Sequence, residues 1–117
     1  MVRRVDLVIL EMLCSIRWIE EDTRGMSREI FQDHRVTQQV VERNIEILSE
    51  ASRRIPDHMK SAHPLVPWRS MAGIGNVLPH DYHDIRANII WDIVVSERPL
   101  LKEALEAILR EPNIGKS

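Results

Sequence analysis

The sequence predicts an all-α protein, an antiparallel up-and-down bundle of four to five helices. Three observations predict it. Apolar residues recur at helical spacing, as in Val5, Ile9, Met12, Leu13, Ile16 and Ile19. No segment shows the apolar–polar alternation of a half-buried strand. The helical stretches are separated by short connections marked by glycine and proline, which makes successive helices antiparallel neighbours.

The first helix is expected over Val5–Asp22, with Gly25 supplying its stop. SREIFQDHR, which follows, reads as a connection with one helical turn begun by Ser27. A second helix is expected from Thr37, a good N-cap, to Arg54. Val40, Val41, Ile45, Leu48, Ala51 and Ile55 make its apolar stripe. Pro56 ends it, because proline cannot donate a backbone hydrogen bond and disfavours the helical conformation before it. DHMKSAHPLVP reads as a loop. Pro67 suits the start of a third helix carrying Trp68 and Met71, which must end or kink by Leu78, ahead of Pro79. A fourth helix begins near Asp84 and carries Ile85, Ile89, Trp91, Ile93 and Val94. A fifth covers Glu97 to Arg110, with Ser96 as N-cap and Pro99 in its first turn. Cys14 reads as a small buried thiol. Trp68 and Trp91 face the core or a dimer seam, and Trp18 lies off the main stripe as an exposed contact.

Length and composition bound the function. A chain of 117 residues predicts one domain over residues 1–117. Its 44% hydrophobic and 29% charged residues are those of a globular protein, and a net charge of −2 excludes a global basic field that would draw in nucleic acid. A phosphate site would need specific cations. One cysteine allows no internal disulfide. The opening MVRRVDLVILEMLC is interrupted by Asp6 and Glu11, and no apolar run approaches the ~20 residues of a membrane span. A cytoplasmic location away from membranes is expected.

One stretch breaks the helical pattern: GIGNVLPHDYHD, Gly73 to Asp84. Glycine in a helix interior costs roughly 1 kcal/mol against alanine, so Gly73 and Gly75 mark a close approach, room for a ligand or a helix end. Pro79 then breaks the hydrogen-bond ladder just before His80. Asn76, His80, Asp81, Tyr82, His83 and Asp84 are thereby gathered around a helix end. A helix C-terminus favours the imidazolium, a useful property for a general acid or base. From the residues alone, the stretch is either a structural turn or a site. His80, His83 and Asp84 are loosely spaced for a metal, and no second ligand cluster supports them. No metal or other cofactor is expected. No serine sits in a strained elbow for a triad.

ILSEASRRIP (Ile47–Pro56), PWRSMAGIGNVLPHDY (Pro67–Tyr82), IIWDIV (Ile89–Val94) and ERPLLKEAL (Glu97–Leu105) together resemble the HepT-like proteins of the HEPN superfamily. The resemblance runs from about Asp6 to Ile108, with several separated blocks in the right order. It implies a small helical protein that forms homodimers. It further implies a metal-independent endoribonuclease, the toxin of a toxin–antitoxin system whose antitoxin is a minimal nucleotidyltransferase. The family's motif is an arginine, four intervening residues and a histidine, with two copies meeting at the dimer interface. Such chemistry needs no metal: RNA carries its own 2′-hydroxyl nucleophile, histidine moves the proton, and arginine's planar fork holds the phosphate. By the resemblance, the catalytic histidine is His80, the asparagine is Asn76, and the tyrosine that receives AMP from the antitoxin is Tyr82. Glu50 matches the family's glutamate in the second helix.

The motif arginine does not carry over. Its place is held by Gly75, and Pro79 is a further departure within the motif. Arg69 or Arg86 could supply the phosphate contact in its stead. Otherwise the bundle cleaves RNA slowly with histidine alone, or it has become a non-catalytic partner that binds a nucleotide or a nucleotidyltransferase.

Overall fold

A computed structural model describes residues 4–74, 78–79, 82–112 and 114. Among these residues all regular structure is helical: α1 (Val5–Asp22), α2 (Arg28–Gln32), α3 (Arg35–Ser52), α4 (Asp57–Ser61), α5 (Trp68–Ala72), α6 (His83–Asp92) and α7 (Arg98–Leu109). The all-α expectation holds. A π-helical turn, Ile93–Glu97, joins α6 to α7.

The long helices α1 and α3 make the most extensive pairing, α7 closes on α1, and α2 and α6 pack together against α3. Ile9, Met12 and Ile16 of α1, Phe31 of α2, Val41 of α3, Ile90 of α6, and Leu105 and Ile108 of α7 are all at most 1% exposed. Each such side chain contributes about 1.5–3 kcal/mol by leaving water. The connection after α1 turns at Gly25, whose φ of +75° is a left-handed conformation that side chains disfavour. Ser27 then caps α2, its hydroxyl accepting the Ile30 N–H at 3.2 Å, as the sequence predicts.

Other boundaries differ from expectation, each for a tertiary reason. α3 starts at Arg35, with His34 rather than Thr37 in the N-cap position. Gln38 Nε2 donates to the carbonyls of Phe31 at 2.7 Å and Gln32 at 2.8 Å. Two carbonyls at the end of α2 are thereby tied to the first turn of α3, which fixes the junction. Thr37 is buried instead, its hydroxyl 2.9 Å from His34 Nδ1. The stretch expected to be a loop after Pro56 contains α4. The Trp68 indole N–H there donates to the carbonyls of Lys60 and His63, both at 3.1 Å.

The fourth and fifth helices, expected to be separate, form one rod. Ser96 caps nothing: it lies inside the π-helical turn. There the Arg98 N–H reaches back five residues to Ile93 O. The next bond in that register would come from Pro99, which has no N–H. The Arg98 side chain fills the gap, Nε donating to Val94 O at 2.9 Å. The other arm of Arg98 pairs with Glu20, and Lys102 Nζ reaches the same carboxylate at 3.0 Å, tying the rod to the end of α1.

Cys14 is exposed rather than buried. It lies on α1 between Leu10 (49% exposed) and Trp18 (52%), on the side away from the core. Val40, expected in the apolar stripe of the second helix, is exposed as well, and so is Ile85 of α6. Trp91 packs on Phe31 with ring centroids 5.1 Å apart and planes tilted by 39°.

Candidate functional site

The segment carrying the motif is held at both ends by α3. At its start, the last carbonyl of α5, Ala72 O, accepts from Ser49 Oγ at 3.1 Å and from Arg53 Nη2 at 2.6 Å. Further on, Leu78 is buried in the core. Tyr82 occupies the N-cap position of α6, and its carbonyl accepts the Arg86 N–H at 2.9 Å. Its side chain is 64% exposed. Gly75, Asn76 and His80 lie outside the described residues.

The two candidate arginines have different surroundings. Arg69 is an exposed residue of α5. Arg86 projects from α6 to α3, where its Nε and Nη2 take the two carboxylate oxygens of Glu42, Nη2 to Oε2 at 2.5 Å. Its Nη1 donates to Pro79 O at 3.4 Å. The guanidinium therefore holds the residue that immediately precedes His80. The Glu42 hydrogen bond, ahead of the opposing effect of burial, raises the Arg86 pKa further above its ordinary value.

The side chains of Arg86 and Glu42 are only 21% and 18% exposed, so neither partner is easily rehydrated alone. Glu42→Ala should destabilise the fold by roughly 1–3 kcal/mol, below the range for a fully buried pair. A double-mutant cycle with Arg86→Ala, read by urea unfolding, should show positive coupling. Strict additivity of the two losses would refute the tether.

Beside this tether runs a cleft of about 160 Å³ between α3 and α6, lined by Arg35, Gln39, Glu42, His83 and Arg86 among others. It adjoins a second hollow of about 260 Å³ bounded by Asp33, Arg35 and His83. Sequence reading missed Arg35, Gln39 and Glu42. Glu42 and Arg86 are 44 residues apart and no local pattern joins them. The only trace is that each directly adjoins a buried residue, Val41 and Ala87, at the edge of an apolar stripe. Glu50 is an exposed residue of α3, 3.7 Å from Arg54. Among the described residues no group of three His, Cys, Asp or Glu side chains is placed to hold a metal ion. Also among them, no helix is long and apolar enough to cross a membrane.

The model of the Ribonuclease HepT-like family matches residues 12–108. The chain belongs to this family. It is 38% identical over 94 residues to "Probable ribonuclease HepT" of Thermococcus cleftensis, covering 80% of this chain and 86% of that protein. Two further relatives carry names that make them candidate RNases. One, from Methanocaldococcus jannaschii, is 31% identical over 88% of this chain and 85% of its own. The other, from Caldanaerobacter subterraneus, is 30% identical over 86% and 89%. No solved structure matches the chain. The HepT-like match spans α3, α5 and α6 and includes the Glu42–Arg86 tether.

Proposed function

We propose that this protein is the toxin of a HepT-like toxin–antitoxin pair, a cytoplasmic, metal-independent endoribonuclease that works as a homodimer. His80 is its acid/base and Asn76 supports the phosphate or the histidine. The family match over residues 12–108 is the observation that carries this reading. In the reaction the RNA 2′-hydroxyl gives up its proton to a histidine and attacks the adjacent phosphorus. The bond to the 5′-oxygen breaks, and that oxygen takes a proton. The products are a 2′,3′-cyclic phosphate and a 5′-hydroxyl end.

Silencing is by a minimal nucleotidyltransferase antitoxin, which places AMP on Tyr82. The 64% exposure of Tyr82 supports it as an acceptor. An anionic phosphate there would repel the RNA backbone. The exposed Leu7, Leu10 and Trp18 of α1 support pairing with a second copy.

Gly75 favours a second reading, a non-catalytic partner of a nucleotide or of the nucleotidyltransferase, because the motif's own cation is missing. One experiment separates the two. Purified protein is incubated with single-stranded RNA in EDTA beside His80→Ala. Cleavage that His80→Ala lowers by about 10²–10⁴ establishes the enzyme. No cleavage by the natural protein, with AMP still added to Tyr82 on co-expression with the nucleotidyltransferase, establishes the partner.

A further inference from the structure

The geometry points to the cleft between α3 and α6 as a subsite for the backbone phosphate of single-stranded RNA, with Arg35 as its cation and His83 as a second donor. This rests on the ribonuclease reading and adds to it a cation that holds the RNA backbone, separate from the transition-state contact of the arginine absent at position 75.

The neighbouring arginines are already engaged. Arg86 is paired with Glu42, Arg28 with Asp92 at 2.7 Å, and Arg53 with the carbonyl of Ala72. Arg35 is different. It lines both adjoining hollows together with His83, and neither side chain forms an ion pair or hydrogen bond with the other described residues. Each hollow also has one carboxylate, Glu42 in the cleft and Asp33 in the second hollow. Glu42 is neutralised by Arg86, and Asp33 is solvent-exposed. An uncommitted, solvent-exposed guanidinium, whose fork matches two phosphate oxygens, is thus left on the wall shared by the two hollows. The cleft opens beside the tether that holds Pro79, the residue that precedes His80 in the chain.

A free nucleotide carries the same phosphate chemistry, so the test includes both sources. The probe is a fluorescein-labelled, single-stranded 2′-O-methyl oligonucleotide, which cannot be cleaved, with binding read by anisotropy at several salt concentrations. The natural protein should bind it. Arg35→Gln should weaken binding about tenfold and lower the slope of log affinity against log salt by about 0.7, the loss of one phosphate contact on a single strand. His83→Gln should weaken it less, and Arg110→Gln, on the exposed turn after α7, not at all. Excess ATP should fail to displace the strand. Equal affinity for Arg35→Gln and the natural protein would overturn the proposal, as would failure of the natural protein to bind the strand. Arg35-dependent binding of ATP without binding of the strand would overturn it too. Because the probe is inert, this outcome is independent of cleavage. Arg35-dependent binding by a protein that cleaves nothing sinks the ribonuclease reading alone, and cleavage with no Arg35 dependence of binding sinks the subsite alone.

Discussion

Gly75→Arg should raise the rate of RNA cleavage about 10²-fold over the natural protein. The residue is the family motif's arginine restored, and the gain is the typical worth of one preorganised donor aimed at charge that develops in the transition state. Negative charge builds on the phosphate oxygens as the 2′-oxygen attacks. A guanidinium meets two of them at once, whereas the glycine at this position carries no side-chain cation. The increase belongs in kcat as well as in kcat/KM, because the contact strengthens in the transition state. Gly75→Lys should recover less, since an ammonium cannot form the fork. The combination Gly75→Arg with His80→Ala should be inactive. A Gly75→Arg variant no faster than the natural protein would mean either that the natural chain already has its full complement of cations or that Pro79 has displaced the motif. The kcat of Arg35→Gln in the same background separates these, since it falls only in the first, while a rise in KM alone marks a binding contact.

Phe31→Ala should lower stability by about 3–5 kcal/mol, the cost of emptying a fully buried aromatic position. Phe31 has no exposed surface, and its ring lies on Trp91 of α6. It is also the one buried residue of the short helix α2. Native domains have only about 5–15 kcal/mol in total, so the loss is a large share. At this chain length it corresponds to a fall in Tm of roughly 10–20 °C. The effect reaches the site. With Phe31 gone, α2 loses its apolar anchor, and Arg28 and Gln32 are less firmly held on Asn88, which they contact at 2.9 and 2.7 Å. The Gln38 bonds across the α2–α3 junction weaken with them. Phe31→Leu should recover most of the loss. A fall of under 3 °C for Phe31→Ala would show that α2 contributes little to the core.

Much of the fold was legible because it rests on local periodicity. The bounds of α1, the cap at Ser27, the stop near Pro56 and the start of α6 all follow from residues within a turn or two of each boundary. Where reading failed, a distant partner was responsible. Thr37 is a sound N-cap by type, yet Gln38 reaching back to α2 moves the N-cap three residues earlier, to His34. Pro99 and Ser96 together read as a helix start, but Arg98 replaces the missing donor and lets the rod run on through a π-helical turn. Cys14 is apolar enough for a core, and only the packing of α1 against α3 and α7 decides which of its two apolar stripes is covered.

For the site the division is similar. The sequence by itself determined the helical class, the break at Gly73–Asp84 and, through the order of its blocks, the resemblance to HepT-like ribonucleases with His80, Asn76 and Tyr82 as the residues to examine. Spacing and residue type are one-dimensional properties, and they suffice for this. The tertiary structure decided which cations are engaged. It paired Arg86 with Glu42 across 44 residues, placed Arg69 in the open and left Arg35 beside His83 in a cleft. An arginine's chemistry depends on which carboxylate lies within about 3 Å of it, and helices that pack side by side bring together residues whose separation along the chain carries no trace of that contact.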